Sequence, residues 1–121
     1  MKNSLIFISM VCILLLTACQ PKAVVLTNES SNKKVKITVK ANREGSSLGP
    51  WKVQLDVKAY EFKQGALAFE IESGDISDKT VKFDWKDDHN CLISFDQPDG
   101  KPRTFQLIAD ENQVQLAEVN L

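Results

Sequence analysis

The sequence predicts an all-β fold, a single antiparallel β-sandwich of seven or eight strands, and three observations carry that expectation. Apolar and polar residues alternate with a period of two over most of the chain beyond residue 23. The alternating runs are separated by short clusters rich in Asp, Asn, Pro and Gly. No segment after residue 19 shows a sustained helical stripe of apolar residues.

The runs follow one another in order. Ala23 to Thr27 is a short apolar stretch that reads as a weak first strand. Val35, Ile37, Val39 and Ala41 alternate with Lys34, Lys36, Thr38 and Lys40; Trp51, Val53, Leu55, Val57 and Ala59 alternate with Lys52, Gln54, Asp56, Lys58 and Tyr60. Leu67, Phe69 and Ile71 form the next inward set, then Val81, Phe83 and Trp85, then Cys91, Ile93 and Phe95. Phe105 with Leu107 and Val114 with Leu116 close the chain, with a change of phase expected before Val119.

The separators explain the connections. In Gln97-Pro98-Asp99-Gly100 proline presets φ for a turn and glycine takes the left-handed position. Asp87-Asp88-His89-Asn90 and Asp110-Glu111-Asn112 supply turn chemistry of the same kind. From Thr80 onward the chain therefore reads as a four-strand meander. One-sided alternation leaves each sheet with one wet face, so the dry faces must cover each other. A sandwich of about immunoglobulin-domain size satisfies this, with a small β-barrel as the alternative closure. Two connections exceed hairpin length, Asn42 to Pro50 and Ser73 to Lys79. Loops on a rigid sandwich are where recognition is usually carried, which marks Arg43, Glu44, Ser46 and Ser47, and beside them the outward-phase Tyr60, as candidate binding residues.

Composition narrows the function classes. The 121 residues are 43% hydrophobic and 26% charged, with 15 basic against 16 acidic side chains. That balance suits one globular domain and excludes disorder; it gives no electrostatic basis for a nucleic-acid partner.

The first residues differ from the rest. Lys2 precedes an apolar run from Leu5 to Leu16, interrupted only by Ser9 and too short to span a bilayer, and Leu16-Thr17-Ala18-Cys19 follows. This segment resembles the signal peptide and lipobox of bacterial lipoproteins. The resemblance implies cleavage after residue 18 and lipid on Cys19, as a diacylglyceryl group on the thiol and an acyl chain on the new amine. No other cofactor is expected. Gln20, where Asp would favour inner-membrane retention, implies an outer-membrane, periplasm-facing location in the cell envelope. On this reading residues 1–18 are a leader, 19–23 (or as far as 33) a tether, and 24–121 the β-domain. A tether ending near Val24 reaches about 15 Å, and one ending near Val35 about 50 Å. Cys12 leaves with the leader and Cys19 becomes a thioether, so Cys91 remains as a lone, inward-facing thiol.

Few residues suggest catalysis. His89 is the single histidine, and there is no nucleophile elbow, phosphate loop or paired Cys-x-x-Cys. Asp87, Asp88 and His89 stand together at an expected turn, where they are candidate ligands for a divalent cation. Their spacing is not that of a calcium loop, and turns favour Asp for their own reasons. Trp51 and Trp85 fall on inward phases, as core aromatics do. The expected function is a non-catalytic protein-binding, accessory or inhibitory module anchored by lipid, with an envelope protein as partner. Small envelope lipoproteins that inhibit lysozyme are similar in size and β-rich character. A passive structural lipoprotein and a small metal-assisted hydrolase using His89 are the alternatives.

Overall fold

The computed structural model describes residues 22–43, 49–61, 63–72 and 75–120. Eight strands run in chain order: β1 (Lys22–Glu29), β2 (Val35–Arg43), β3 (Trp51–Ala59), β4 (Lys63–Ile71), β5 (Val81–Asp87), β6 (Asn90–Phe95), β7 (Arg103–Ala109) and β8 (Val114–Val119). They form two four-stranded antiparallel sheets, β1-β2-β3-β4 and β5-β6-β7-β8. Each sheet is a simple meander, as expected from Thr80 onward. The sheets remain two layers, so the sandwich is borne out and the closed barrel is not.

Period-two alternation places one residue in two on the dry side of each sheet. Val35, Ile37, Val39, Trp51, Val53, Leu55 and Val57 face inward from the first sheet, and Val81, Cys91, Ile93, Phe95, Phe105 and Leu107 from the second; all are buried. Phe69 sits between Phe95 and Phe105, its ring centroid 5.3 Å from the first and 4.2 Å from the second. Edge-to-face and offset arrangements of this kind favour aromatic quadrupoles beyond area burial alone.

Several boundaries differ from the sequence expectation. The weak first strand is a full eight-residue element, paired with β2 from Lys22↔Arg43 to Glu29↔Lys36. Its apolar signal is modest because it is an edge strand, with Val24 and Leu26 only half-buried. β4 begins at Lys63, ahead of the expected inward set at Leu67; Lys63 to Ala66 carry no inward bulk, so the apolar alternation does not mark them. Gly65 takes an inward position, where an added Cβ would lie 2.6 Å from Val114 Cγ1 on β8. Glycine is therefore what lets β4 and β8 approach along that side of the sandwich. The phase change before Val119 does not alter the ladder, which continues in register to Thr104↔Val119. There Glu118, opposite Phe105, takes the position that alternation would give to an apolar residue, because Arg103 holds its carboxylate.

Trp51 is core, as expected. Trp85 is only half-buried, because β5 is an edge strand facing the other edge, β1. Its Nε1 donates to Asn28 Oδ1 at 2.7 Å, which ties the two sheets on that side. Ile76, inside the long connection Ser73 to Lys79, is buried and anchors the crossing from one sheet to the other. Thr80 Oγ1 donates to the Asp75 and Ser77 carbonyls and accepts from Ser77 N, so the segment is held by its own turn bonds.

Candidate functional site

Antiparallel pairing sorts the connections into two ends. The turns 30–34, 60–61, 88–89 and 110–113 lie between β1 and β2, β3 and β4, β5 and β6, and β7 and β8. Two bonds between the sheets and one within the second sheet bring these four turns to one end. Ser31 Oγ donates to Asp88 Oδ1 at 2.6 Å, Tyr60 Oη lies 3.2 Å from His89 Nδ1, and His89 Nδ1 lies 3.1 Å from the Ala109 carbonyl oxygen. The start of β1, the end of β2 and the long connections leave from the opposite end, where Arg103 Nη1 donates to the Glu70 carbonyl.

This geometry separates residues that the sequence grouped. Arg43 pairs with Lys22, whereas Tyr60 follows Ala59, which pairs with Val35. Strands of eight or nine residues put about 25 Å between them, so Arg43 and Tyr60 do not share a site. Arg43 packs its guanidinium 5.7 Å from the centre of the Trp51 ring. Glu44, Ser46, Ser47 and Cys19 lie outside the described residues.

Tyr60 also differs from its expected place on the outer face of β3. It occupies the β3–β4 turn with φ 55°, and its N–H donates to the Lys34 carbonyl at 2.7 Å. A bulky side chain in the left-handed region costs on the order of 1 kcal/mol. Its contacts repay that cost. The ring stacks on His89 (centroids 6.4 Å apart, planes at 19°), and the Lys34 ammonium lies 5.8 Å from the ring centre. A carbonyl only accepts, so the Ala109 contact assigns a proton to His89 Nδ1 and makes the Tyr60 hydroxyl oxygen a second acceptor. Desolvation, and then the charges of Glu111, Asp110 and Asp88, push the Tyr60 hydroxyl above its ordinary pKa.

The candidate metal residues serve their turn instead. Asp87 Oδ1 accepts from the His89 backbone N–H at 2.7 Å, and Asp88 Oδ1 accepts from Ser31 Oγ and the Asn32 N–H. Those bonds, the Ser31 hydroxyl first, hold the Asp88 carboxyl below the usual carboxylate range. Among the described residues no group of three His, Cys, Asp or Glu side chains is placed to hold a metal ion. The expected Asp87–Asp88–His89 cluster is thus not assembled as a ligand set; each side chain points to a different partner.

An open cavity of about 520 Å³ lies at this end, lined by Lys33, Lys34, Tyr60, Glu61 and Glu111. Glu61 and Glu111 were not singled out as binding residues in the sequence, because the turns that carry them come together at Lys33 and Lys34 only when one sheet lies on the other. Other concavities lie on the outer face of the first sheet, where Lys40 pairs with Asp56 at 3.2 Å across β2 and β3. No protein-family model, no curated protein and no solved structure matches this chain.

Proposed function

We propose that this protein is a lipid-anchored, non-catalytic binding module of the bacterial cell envelope that offers its hairpin-turn end to a partner protein. One observation supports this orientation above the others. β1 begins at Lys22, three residues after the cysteine of the lipobox-like segment, and it begins at the end opposite the four turns. Of the two tether lengths the sequence allowed, the β1 start favours the short one. A lipid on Cys19 would hold the Arg43 end close to the bilayer and leave the Tyr60–His89 end about 25 Å further out. Two or three acyl chains suffice for a stable hold. Gln20 fits sorting to the outer membrane, with the domain in the periplasm.

Two measurements test the reading. Intact mass of the membrane fraction should give a chain that starts at Cys19 with its acyl groups, and Cys19→Ser should release the protein. A chain that starts elsewhere without lipid overturns the anchor. A photo-crosslinker at Asn112, in the β7–β8 turn, should capture one stoichiometric partner that the same probe at Asp99, at the opposite end, does not. Equal capture from both positions, or none from Asn112, overturns the binding end.

A further inference from the structure

We infer that the cavity between the β1–β2, β3–β4 and β7–β8 turns binds a short zwitterionic peptide, one with a free ammonium and a free carboxylate. This rests on the reading of that end as the recognition end, and it assigns the ligand chemistry.

The backbone is the first ground. Lys33 (φ 62°) and Tyr60 (φ 55°) are the two non-glycine residues with left-handed φ among the described residues, and both line this cavity. Hairpin turns ordinarily give such positions to Gly or Asn. The chain does so at Gly100 (φ 82°), in the β6–β7 connection at the opposite end. Strained residues of this kind gather where a side chain is needed for function. Here the retained side chains are an ammonium and an aromatic ring.

Charge is the second ground. The cavity is lined by two cations, Lys33 and Lys34, and two anions, Glu61 and Glu111. None of the four forms an ion pair among the described residues, whereas Lys40–Asp56, Lys86–Asp84 and Arg103–Glu118 do pair. Opposite charges that share a cavity without neutralising each other leave both signs available. A purely anionic ligand would meet the glutamates and a purely cationic one the lysines. A ligand with both termini free satisfies both pairs, and the Tyr60 ring offers an apolar face for the body between them.

The test is an NMR titration of the ¹⁵N-labelled protein, purified from whichever fraction holds it, with alanyl-alanine as the probe. Saturable shifts are expected at the amides of Lys33, Lys34, Tyr60, Glu61 and Glu111. N-acetyl-alanyl-alanine and alanyl-alanine amide each lack one charge and should bind about five-fold more weakly or worse. Lys33→Gly and Glu111→Gln should weaken the dipeptide similarly. Lys33→Gly relieves the left-handed strain, so its melting temperature should be unchanged or higher and loss of fold cannot account for lost binding. Failure to saturate by about 20 mM dipeptide, equal binding of the blocked analogues, or wild-type binding by both variants each overturns the assignment. If crosslinking from Asn112 succeeds while the titration fails, only the ligand chemistry is rejected. If the titration succeeds while the crosslinking fails, the dipeptide site stands and the partner-protein reading is rejected; if both fail, the turn end is rejected as a recognition end.

Discussion

Tyr60 and His89 come from different sheets, 29 residues apart, and meet with Oη 3.2 Å from Nδ1 and their rings stacked. The pair closes the turn end of the sandwich as the Trp85–Asn28 bond closes one side.

Tyr60→Phe keeps the ring and removes the hydroxyl, so a loss of about 0.5–1 kcal/mol is expected in urea denaturation. His89→Ala also removes the bond to Ala109 and the stacking, and should cost about 1–2 kcal/mol. Because the two changes break a shared contact, the double variant should lose less than the sum. Additivity within about 0.3 kcal/mol would mean that the pair carries no coupling energy.

Arg103 and Glu118 predict a pH dependence. Arg103 Nε and Nη2 donate to the two Glu118 carboxylate oxygens at 2.9 and 2.8 Å, and the guanidinium lies 5.2 Å from the Phe69 ring centre. These hydrogen bonds hold the Glu118 carboxyl below its ordinary 4.5. A folded-state value below the unfolded one means that the unfolded chain binds more protons in that window, so stability rises with pH there. The contribution is present above about pH 4.5 and is lost as pH falls through the folded value. The stability gap between wild type and Glu118→Gln should therefore narrow from about pH 6 to pH 3, and a constant gap would refute the linkage. The carboxylate is partly exposed, so the effect is modest. Asp56, lowered first by its Gln54 hydrogen bond, contributes in the same direction, which is why the variant rather than wild type alone is the comparison.

Gly65→Ala should destabilise by about 1–3 kcal/mol, since the new methyl meets the stiff, β-branched Val114. Val114→Ala in the same chain should recover part of that loss. A Gly65→Ala protein that melts like wild type would show that β4 and β8 can separate without cost.

Burial, and then the charge of Asp84, push the Cys91 thiol up to about 12. The residue is fully inaccessible. At pH 8 a thiol reagent should modify Cys91 only through opening of the fold, so the labelling rate followed on its peptide should rise with urea in step with unfolding. Rapid native-state labelling would contradict the packing of β6 against the first sheet.

Much of the fold was legible in the sequence. Alternation marked seven inward sets, and turn residues separated the last four strands, because side-chain direction along a strand is a local property that each residue passes to the next. The signal failed where local pattern and burial part company. Ile76 is core without alternating neighbours, the first half of β4 has small or polar residues where bulk was expected, and the Tyr60 turn carries no Gly or Asn to announce it. The candidate site was less legible. Tyr60 and His89 were each noticed, but for separate roles, and Arg43 was grouped with Tyr60 although a strand length divides them.

By itself the sequence determined seven of the inward-facing sets and that their dry faces must be covered, since unsatisfied apolar surface forces a second layer. It also carried the lipobox-like segment that underlies the proposed anchor. Only the tertiary structure decided which turns meet. That outcome depends on how the crossing held by Ile76 lays the second meander over the first, and contacts between residues dozens of positions apart leave no periodic trace in the chain. The Lys33, Tyr60, Glu61 and Glu111 cavity exists because of that stacking.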